Sequence, residues 1–290
     1  MEPVFDLESL LARKRRARRI GDGGAHFLMQ RAAEDVADRL STVQRSFPRA
    51  ASVLSQTEAA HTMLRQSGKV EDALRVEADA ALLDGTGLVA ANEILPLEPE
   101  SLDLVVSLYA LQEVNDLPGM LIQIRRALRP DGLFLACLSG AGTLSELREA
   151  LLAAETELHG GASPRVFPFA DVRDMGGLLQ RAGFALPVTD SESVTVRYDS
   201  MFALIRDLRA MGATNSLLAR SRKPASKALF LRAAEIYAER FSDPDGRVRA
   251  TFSTIWLSGW APHASQQKPL KPGSATISLA KVLGAEPEEK

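Results

Sequence analysis

The sequence predicts an α/β fold with a parallel sheet, because two apolar runs flank an amphipathic helix. Residues 104–106 form a short, β-branched apolar run, typical of a strand buried on both faces. Residues 117–128 have apolar side chains at helical spacing, and Asp116 stands where a helix cap is expected. The Arg-Pro-Asp-Gly turn at 129–132 leads into a second apolar run at 133–138. Strand, helix and strand in this order predict a βαβ unit with a right-handed crossover.

Composition narrows the class of protein. The chain has 290 residues, of which 46% are hydrophobic and 25% charged, so it has room for one large domain with additions. A formal net charge of −2 gives no overall attraction to nucleic acid. The single cysteine, Cys137, lies within an apolar run, which predicts a buried side chain and excludes an intrachain disulfide. No apolar run is long enough to span a membrane, and we expect a cytoplasmic protein without a transmembrane segment.

The N-terminal residues 1–46 are predicted to form two amphipathic helices. The first, at 4–20, has an apolar stripe of Val4, Leu7, Leu10, Leu11 and Ile20. It also has a basic cluster of Arg13, Lys14, Arg15, Arg16, Arg18 and Arg19. This cluster is either a solvated face, a dock for an acidic partner or anionic lipid, or part of a presequence. The second helix, at 26–46, either covers a ligand site or packs on the sheet.

The C-terminal half alternates helices with a few strands. Helices are predicted at 143–159, 171–182, 201–211 and 225–241. Residues 184–198 predict an antiparallel pair of strands, and residues 250–260 a last strand in the main sheet. We expect one α/β domain over 47–262 and a disordered, Pro-rich tail over 263–290.

Several stretches resemble known proteins. SLDLVVS at 101–107, followed by a helix and LRPDGLF at 128–134, resembles strands four and five of class I S-adenosylmethionine-dependent methyltransferases. VNDLPG at 114–119, TLSELREAL at 143–151 and SPRVFPFADVRDMGGLLQRAGF at 163–184 are similar to the complex I assembly factor 5 family. The resemblance spans roughly residues 4–262. It implies a Rossmann-like methyltransferase sheet with N-terminal helices and helical insertions near the C-terminus.

The resemblance also implies S-adenosylmethionine as cofactor and a protein client, such as a subunit of respiratory complex I. The family pattern places a glycine-rich turn near 52–60, where this chain has SVLSQTEAA. The implied cofactor-binding residues are Ser55, Glu77, Asp79, Asn92, Glu93 and Gln112. In that pattern Glu77 or Asp79 accepts hydrogen bonds from the ribose, while Ala91 replaces an aspartate near the adenine.

Tyr109 and Asn115 are the candidates for orienting the acceptor of a transferred group, because they follow the strand at 104–108. The four histidines and the cysteine have no metal-ligand spacing, so no metal site is predicted. Two functions therefore remain open. The chain is an enzyme of methyl transfer or arginine hydroxylation on a protein, or a non-catalytic assembly factor that binds a complex I subunit.

Overall fold

The computed structural model describes residues 2–267 and contains a seven-stranded, mostly parallel sheet in the order β3-β2-β1-β4-β5-β7-β6. Its strands are β1 (Arg49–Val53), β2 (Asp72–Glu77), β3 (Leu88–Val89), β4 (Leu102–Leu108), β5 (Leu128–Ser139), β6 (Ala185–Tyr198) and β7 (Val248–Trp260). β1 to β5 run parallel, and β7 is antiparallel to both β5 and β6. This confirms the predicted α/β class and the methyltransferase-like sheet.

Eight helices accompany the sheet in the described part of the chain. They are α1 (Leu7–Ile20), α2 (Phe27–Thr42), α3 (Ala59–Gln66), α4 (Leu117–Ala127), α5 (Ser145–His159), α6 (Val172–Arg181), α7 (Met201–Ala210) and α8 (Lys227–Phe241). Short 3-10 turns lie at Gly23–His26, Ala80–Leu82, Ala91–Glu93 and Leu111–Glu113. None of the helices in residues 2–267 is both long and apolar enough to cross a bilayer.

The predicted βαβ unit is present as β4, α4 and β5. The Asp116 carboxylate accepts a hydrogen bond from the Gly119 N–H at 2.9 Å and so caps α4. β5 begins earlier than predicted, at Leu128, and its register with β4 jumps between the pairs Leu102–Leu128 and Leu104–Leu133. The turn at 129–132 is therefore a bulge within the strand. Cys137 is fully buried in β5, as its apolar surroundings predict.

The antiparallel edge differs in part from the prediction. The pair of strands expected within 184–198 is wrong, because these residues form the single strand β6, whose partner is β7. The last predicted strand is confirmed, since β7 pairs with β5 inside the sheet. Of the tail predicted at 263–290, residues 268–290 lie outside the described residues.

The predicted alternatives for the second N-terminal helix can be compared with its packing. α2 ends at Thr42 rather than 46 and buries Val36 and Leu40 in the same apolar core as Ala50 and Leu104 of the sheet. It therefore packs on the sheet. α5, α7 and α8 share a separate apolar core with β7, which forms the helical insertion expected near the C-terminus. Both α1 and the first turn of α2 reach a cavity at the ends of β4 and β5.

Candidate functional site

α1 crosses the carboxyl ends of β1, β2 and β4, the edge at which open parallel sheets bind ligands. Its buried residues are Leu10, Lys14 and Ala17, spaced four and three apart on one helix face. The predicted apolar stripe is therefore partly wrong, since Val4 and Ile20 are 42% and 50% exposed. A lysine occupies the centre of the buried face instead.

The Lys14 ammonium forms a buried ion pair with the carboxylate of Glu113. The two atoms, Nζ and Oε2, are 2.7 Å apart, and both side chains are less than a tenth exposed. Glu113 belongs to the 3-10 turn that follows β4. A charge removed from water needs a partner, so this pair fixes α1 over the end of β4.

Further ion pairs hold both ends of α1. Arg15 pairs with Asp79 after β2, and Arg18 pairs with Asp84. At the helix start, the Asp6 carboxylate accepts a hydrogen bond from the Ser9 N–H at 3.0 Å and pairs with Arg220 at 2.7 Å. The Ser9 N–H and the Arg220 guanidinium lower the pKa of Asp6, so its anionic capping form is favoured.

Asn115, a predicted acceptor-orienting residue, contacts the N-terminal segment. Its Oδ1 accepts hydrogen bonds from the N–H groups of Val4 and Phe5, both at 2.8 Å. Its Nδ2 donates to the Phe5 carbonyl at 3.1 Å. With all three bonds made to backbone, the side chain anchors the segment that leads into α1.

The turn after β1 has the backbone of a glycine-rich turn but carries side chains. Leu54 and Gln56 both have φ of 57°, in the left-handed region that favours glycine. Gln56 Nε2 donates to the Met211 carbonyl at 2.9 Å, across to the end of α7. A Cβ at Gly212 would lie 3.3 Å from that nitrogen and 3.4 Å from the Cα of Lys14. α1, the end of α7 and this turn are therefore in close contact.

The acid at the end of β2 faces the protein interior. Glu77 is 1% exposed, and its carboxylate accepts hydrogen bonds from the Gln56 N–H at 3.2 Å and from Arg75 Nε at 3.3 Å. Arg75 is itself buried and donates to the carbonyls of Leu82 and Gln56. Asp79 accepts from the Ala81 N–H at 2.8 Å in addition to its bond with Arg15. Both acids are occupied by protein groups.

Two other predicted cofactor-binding residues, Ser55 and Glu93, accept hydrogen bonds from backbone N–H groups. Ser55 Oγ is fully buried and accepts a hydrogen bond from the Leu108 N–H at 3.1 Å. The Glu93 carboxylate accepts from the N–H groups of Asn115 and Asp116 at 2.8 and 3.1 Å. Asn92 adopts a positive φ of 52° in the 3-10 turn before Glu93.

A cavity of about 460 Å³ opens beside this cluster, at the ends of β4 and β5. Tyr109 and Gln112 line it, whereas the other six predicted site residues do not. The Tyr109 hydroxyl hydrogen-bonds the Thr254 hydroxyl at 2.7 Å, and Gln112 Nε2 donates to the Tyr109 carbonyl at 2.7 Å. Burial raises the pKa of Tyr109, so the phenol stays neutral at physiological pH.

These contacts test whether the residues present suit S-adenosylmethionine. A ribose needs an acid that is accessible from the crevice, but Glu77 is buried and Asp79 is paired with α1. A cofactor against the turn after β1 needs open backbone, but Leu54 and Gln56 carry side chains there and Gln56 is bonded to Met211. In this conformation both candidate ribose acids are held by protein groups, Glu77 by Arg75 and Asp79 by Arg15. Among residues 2–267, no three His, Cys, Asp or Glu side chains come close enough to hold a metal ion.

Neither the burial of Lys14 against Glu113 nor the pairing of Arg75 with Glu77 was predicted from the sequence. One signal was available, because Lys14 lies four residues after Leu10 and therefore on the apolar side of the first helix. A lysine on such a stripe needs a buried acid elsewhere in the chain. The choice of Glu113 depends on how the helix crosses the sheet, which no local pattern specifies.

Comparison with known proteins agrees with the fold. Residues 49–136 match the family model of a methyltransferase domain. A solved Bacillus halodurans protein assigned as a methyltransferase has a TM-score of 0.53 and 12% identity, covering 79% of this chain and 98% of its own. At that identity the likeness concerns the fold alone.

Two curated relatives are named mitochondrial arginine-hydroxylase NDUFAF5. The zebrafish (Danio rerio) protein is 36% identical over 96% of this chain and 88% of its own length. The Dictyostelium discoideum protein is 45% identical over 67% of this chain, which spans 44% of that longer relative. The predicted cytoplasmic location is contradicted, because these relatives are mitochondrial. The extent of the zebrafish match places the chain in the NDUFAF5 arginine-hydroxylase family.

Proposed function

We propose that this protein assists the assembly of respiratory complex I by binding a protein client, and that it does so without S-adenosylmethionine. The assembly role comes from the family, whose zebrafish relative matches 96% of the chain. The proposed independence from the cofactor is based on how α1 is held at the carboxyl ends of the strands.

One observation carries the cofactor part of the proposal. α1 lies over the carboxyl ends of three parallel strands and is fastened there by the buried Lys14–Glu113 pair. Beside it, the Gln56–Met211 hydrogen bond joins the turn after β1 to the end of α7. Moving α1 away from the strand ends would break the Lys14–Glu113 pair and separate two buried charges, which is costly. The sheet therefore serves as a scaffold in this proposal.

Arginine hydroxylation of the client is a second candidate, and the names of the zebrafish and Dictyostelium relatives favour it. Hydroxylation converts a C–H bond of an arginine side chain to C–OH, and with molecular oxygen it also needs two electrons and two protons to reduce the second oxygen atom to water. Mass spectrometry of complex I subunits from cells with and without this protein tests it. An arginine that gains one oxygen only in the presence of the protein supports this activity, and identical masses would argue against it.

Replacing Asp79 with alanine is expected to leave complex I assembly at the wild-type level. Asp79 caps a 3-10 turn and pairs with the half-exposed Arg15, so its loss costs little stability. The measurement is the amount of intact complex I on native gels from cells that express only the variant.

Asp84→Ala is the control, because Asp84 is a second acid that pairs with an arginine of α1. Loss of complex I with Asp79→Ala at a normal protein level, and not with Asp84→Ala, would contradict the proposal. It would mean that Asp79 binds a ligand such as the ribose of the cofactor.

A further inference from the structure

The cavity beside the crevice has an extensive apolar wall. Its volume of about 460 Å³ lies in the range of small-molecule sites. The wall is formed by side chains from α2, α5, α7, α8 and β7, namely Leu28, Leu147, Leu151, Ile205, Phe230 and Phe252. Such a wall suits an alkyl or acyl chain.

The same cavity is also lined by positively charged side chains. Arg13 and Arg16 of α1 and Arg209 of α7 all line it, and none of the three forms an ion pair within residues 2–267. The spacing of Arg13 and Arg16 places them on one helix face. Burial and the nearby charges of Arg220 and Arg16 lower the pKa of Arg13. Arg13 is therefore repelled by Arg220 and Arg16, while Asp6, which is itself paired with Arg220, acts on it in the opposite direction.

The remaining charges at the cavity are already paired. Glu113 is the one carboxylate that lines it in the described chain, and it is bound to Lys14 at 2.7 Å. Arg165 also lines the cavity, but it is bound to Glu155 at 2.6 Å. Of the arginines of α1, Arg15 and Arg18 form ion pairs with protein acids, whereas Arg13 and Arg16 line the cavity. A cationic ligand such as an arginine side chain would meet net repulsion here.

We propose that this cavity binds an anionic amphiphile, in which a carboxylate or phosphate contacts Arg13, Arg16 and Arg209 and an apolar chain contacts the apolar wall. Guanidinium groups form paired hydrogen bonds with both kinds of anion. The ligand is either a free acyl or alkyl anion or the anionic end of a membrane lipid. This site goes beyond the proposed function and does not depend on it.

Calorimetric titration of the purified full chain with laurate and dodecyl phosphate, below their micelle concentrations, tests the site. The variant is Arg13→Gln with Arg16→Gln, and the control is Arg19→Gln, an exposed arginine of the same helix that does not line the cavity. We expect saturable binding of both anions, a loss of affinity of at least about tenfold in the double variant, and no change in the control.

Two further probes test separately the contributions of the ligand's negative charge and of its alkyl chain. Dodecyltrimethylammonium and inorganic phosphate should each bind at least about tenfold more weakly than dodecyl phosphate, because each lacks one of the two contacts. Equal binding of the cation, or equal binding by wild type and the double variant, would overturn the proposal. Thermal melts of each variant show whether a lost affinity reflects a lost fold.

Co-sedimentation with phosphatidylcholine vesicles that contain phosphatidylglycerol distinguishes the two sources of ligand. Sedimentation that the double variant loses and the control keeps identifies a membrane lipid. Binding of laurate without sedimentation identifies a free amphiphile. Absence of both overturns the proposal.

Discussion

Replacing Lys14 with alanine is expected to lower the free energy of unfolding by about 3–5 kcal/mol. The substitution removes the ammonium that lies 2.7 Å from Glu113 and leaves that carboxylate buried without a cation. It also loosens α1 from the ends of β1 and β4. Urea denaturation followed by circular dichroism measures the change.

The matching controls come from the same pair and the same helix. Glu113→Ala should lower the free energy of unfolding by a similar amount. Lys14→Met combined with Glu113→Leu should lower it by clearly less than the sum of the two alanine variants, because no charge stays unpaired. Arg19→Ala, on the exposed side of α1, should change stability by less than about 0.5 kcal/mol. If Lys14→Ala behaved like Arg19→Ala, α1 would not be fixed over the crevice as described.

Replacing Arg75 with leucine is expected to destabilise the fold by about 3–5 kcal/mol at pH 8. Arg75 is 3% exposed and donates to the carbonyls of Leu82 and Gln56 and to the Glu77 carboxylate. The variant buries Glu77 without this partner. Arg129→Leu is the control, since Arg129 pairs with Asp103 in a half-exposed site and its loss should cost no more than about 1 kcal/mol.

This destabilisation should be smaller at pH 5 than at pH 8. Burial already raises the pKa of Glu77 above its ordinary value, with Arg75 acting in the opposite direction, so removal of Arg75 raises it further. A carboxyl whose pKa is higher in the folded state binds more protons there, and its contribution to stability is lost as the pH rises through the folded pKa. Equal losses at both pH values would mean that Glu77 is not the group left unpaired.

The elements that could be predicted are those whose apolar residues repeat with the period of a strand or a helix. β4, α4 and β5 follow from apolar runs, helical spacing and the Asp116 cap, each set by neighbours in sequence. The single strand β6 was misjudged because alternation predicts a strand but does not show where a hairpin would turn. Fourteen continuous residues instead pair along β7.

The site was less predictable, because its contacts join residues far apart in the chain. Asn115 was placed correctly after β4, yet its bonds to Val4 and Phe5 depend on the path of the N-terminus. The departure of residues 52–60 from a glycine-rich turn was visible in the sequence. That Leu54 and Gln56 keep a glycine-like backbone, and that Gln56 bonds to Met211, is a tertiary property.

Titration of the purified protein with S-adenosylmethionine and S-adenosylhomocysteine by calorimetry tests the central claim most directly. With α1 fixed over the crevice by Lys14 and Glu113, we expect no saturable heat up to millimolar ligand. Saturable binding near micromolar concentration, about −8 kcal/mol, would contradict the account and show that α1 leaves the crevice to admit the cofactor.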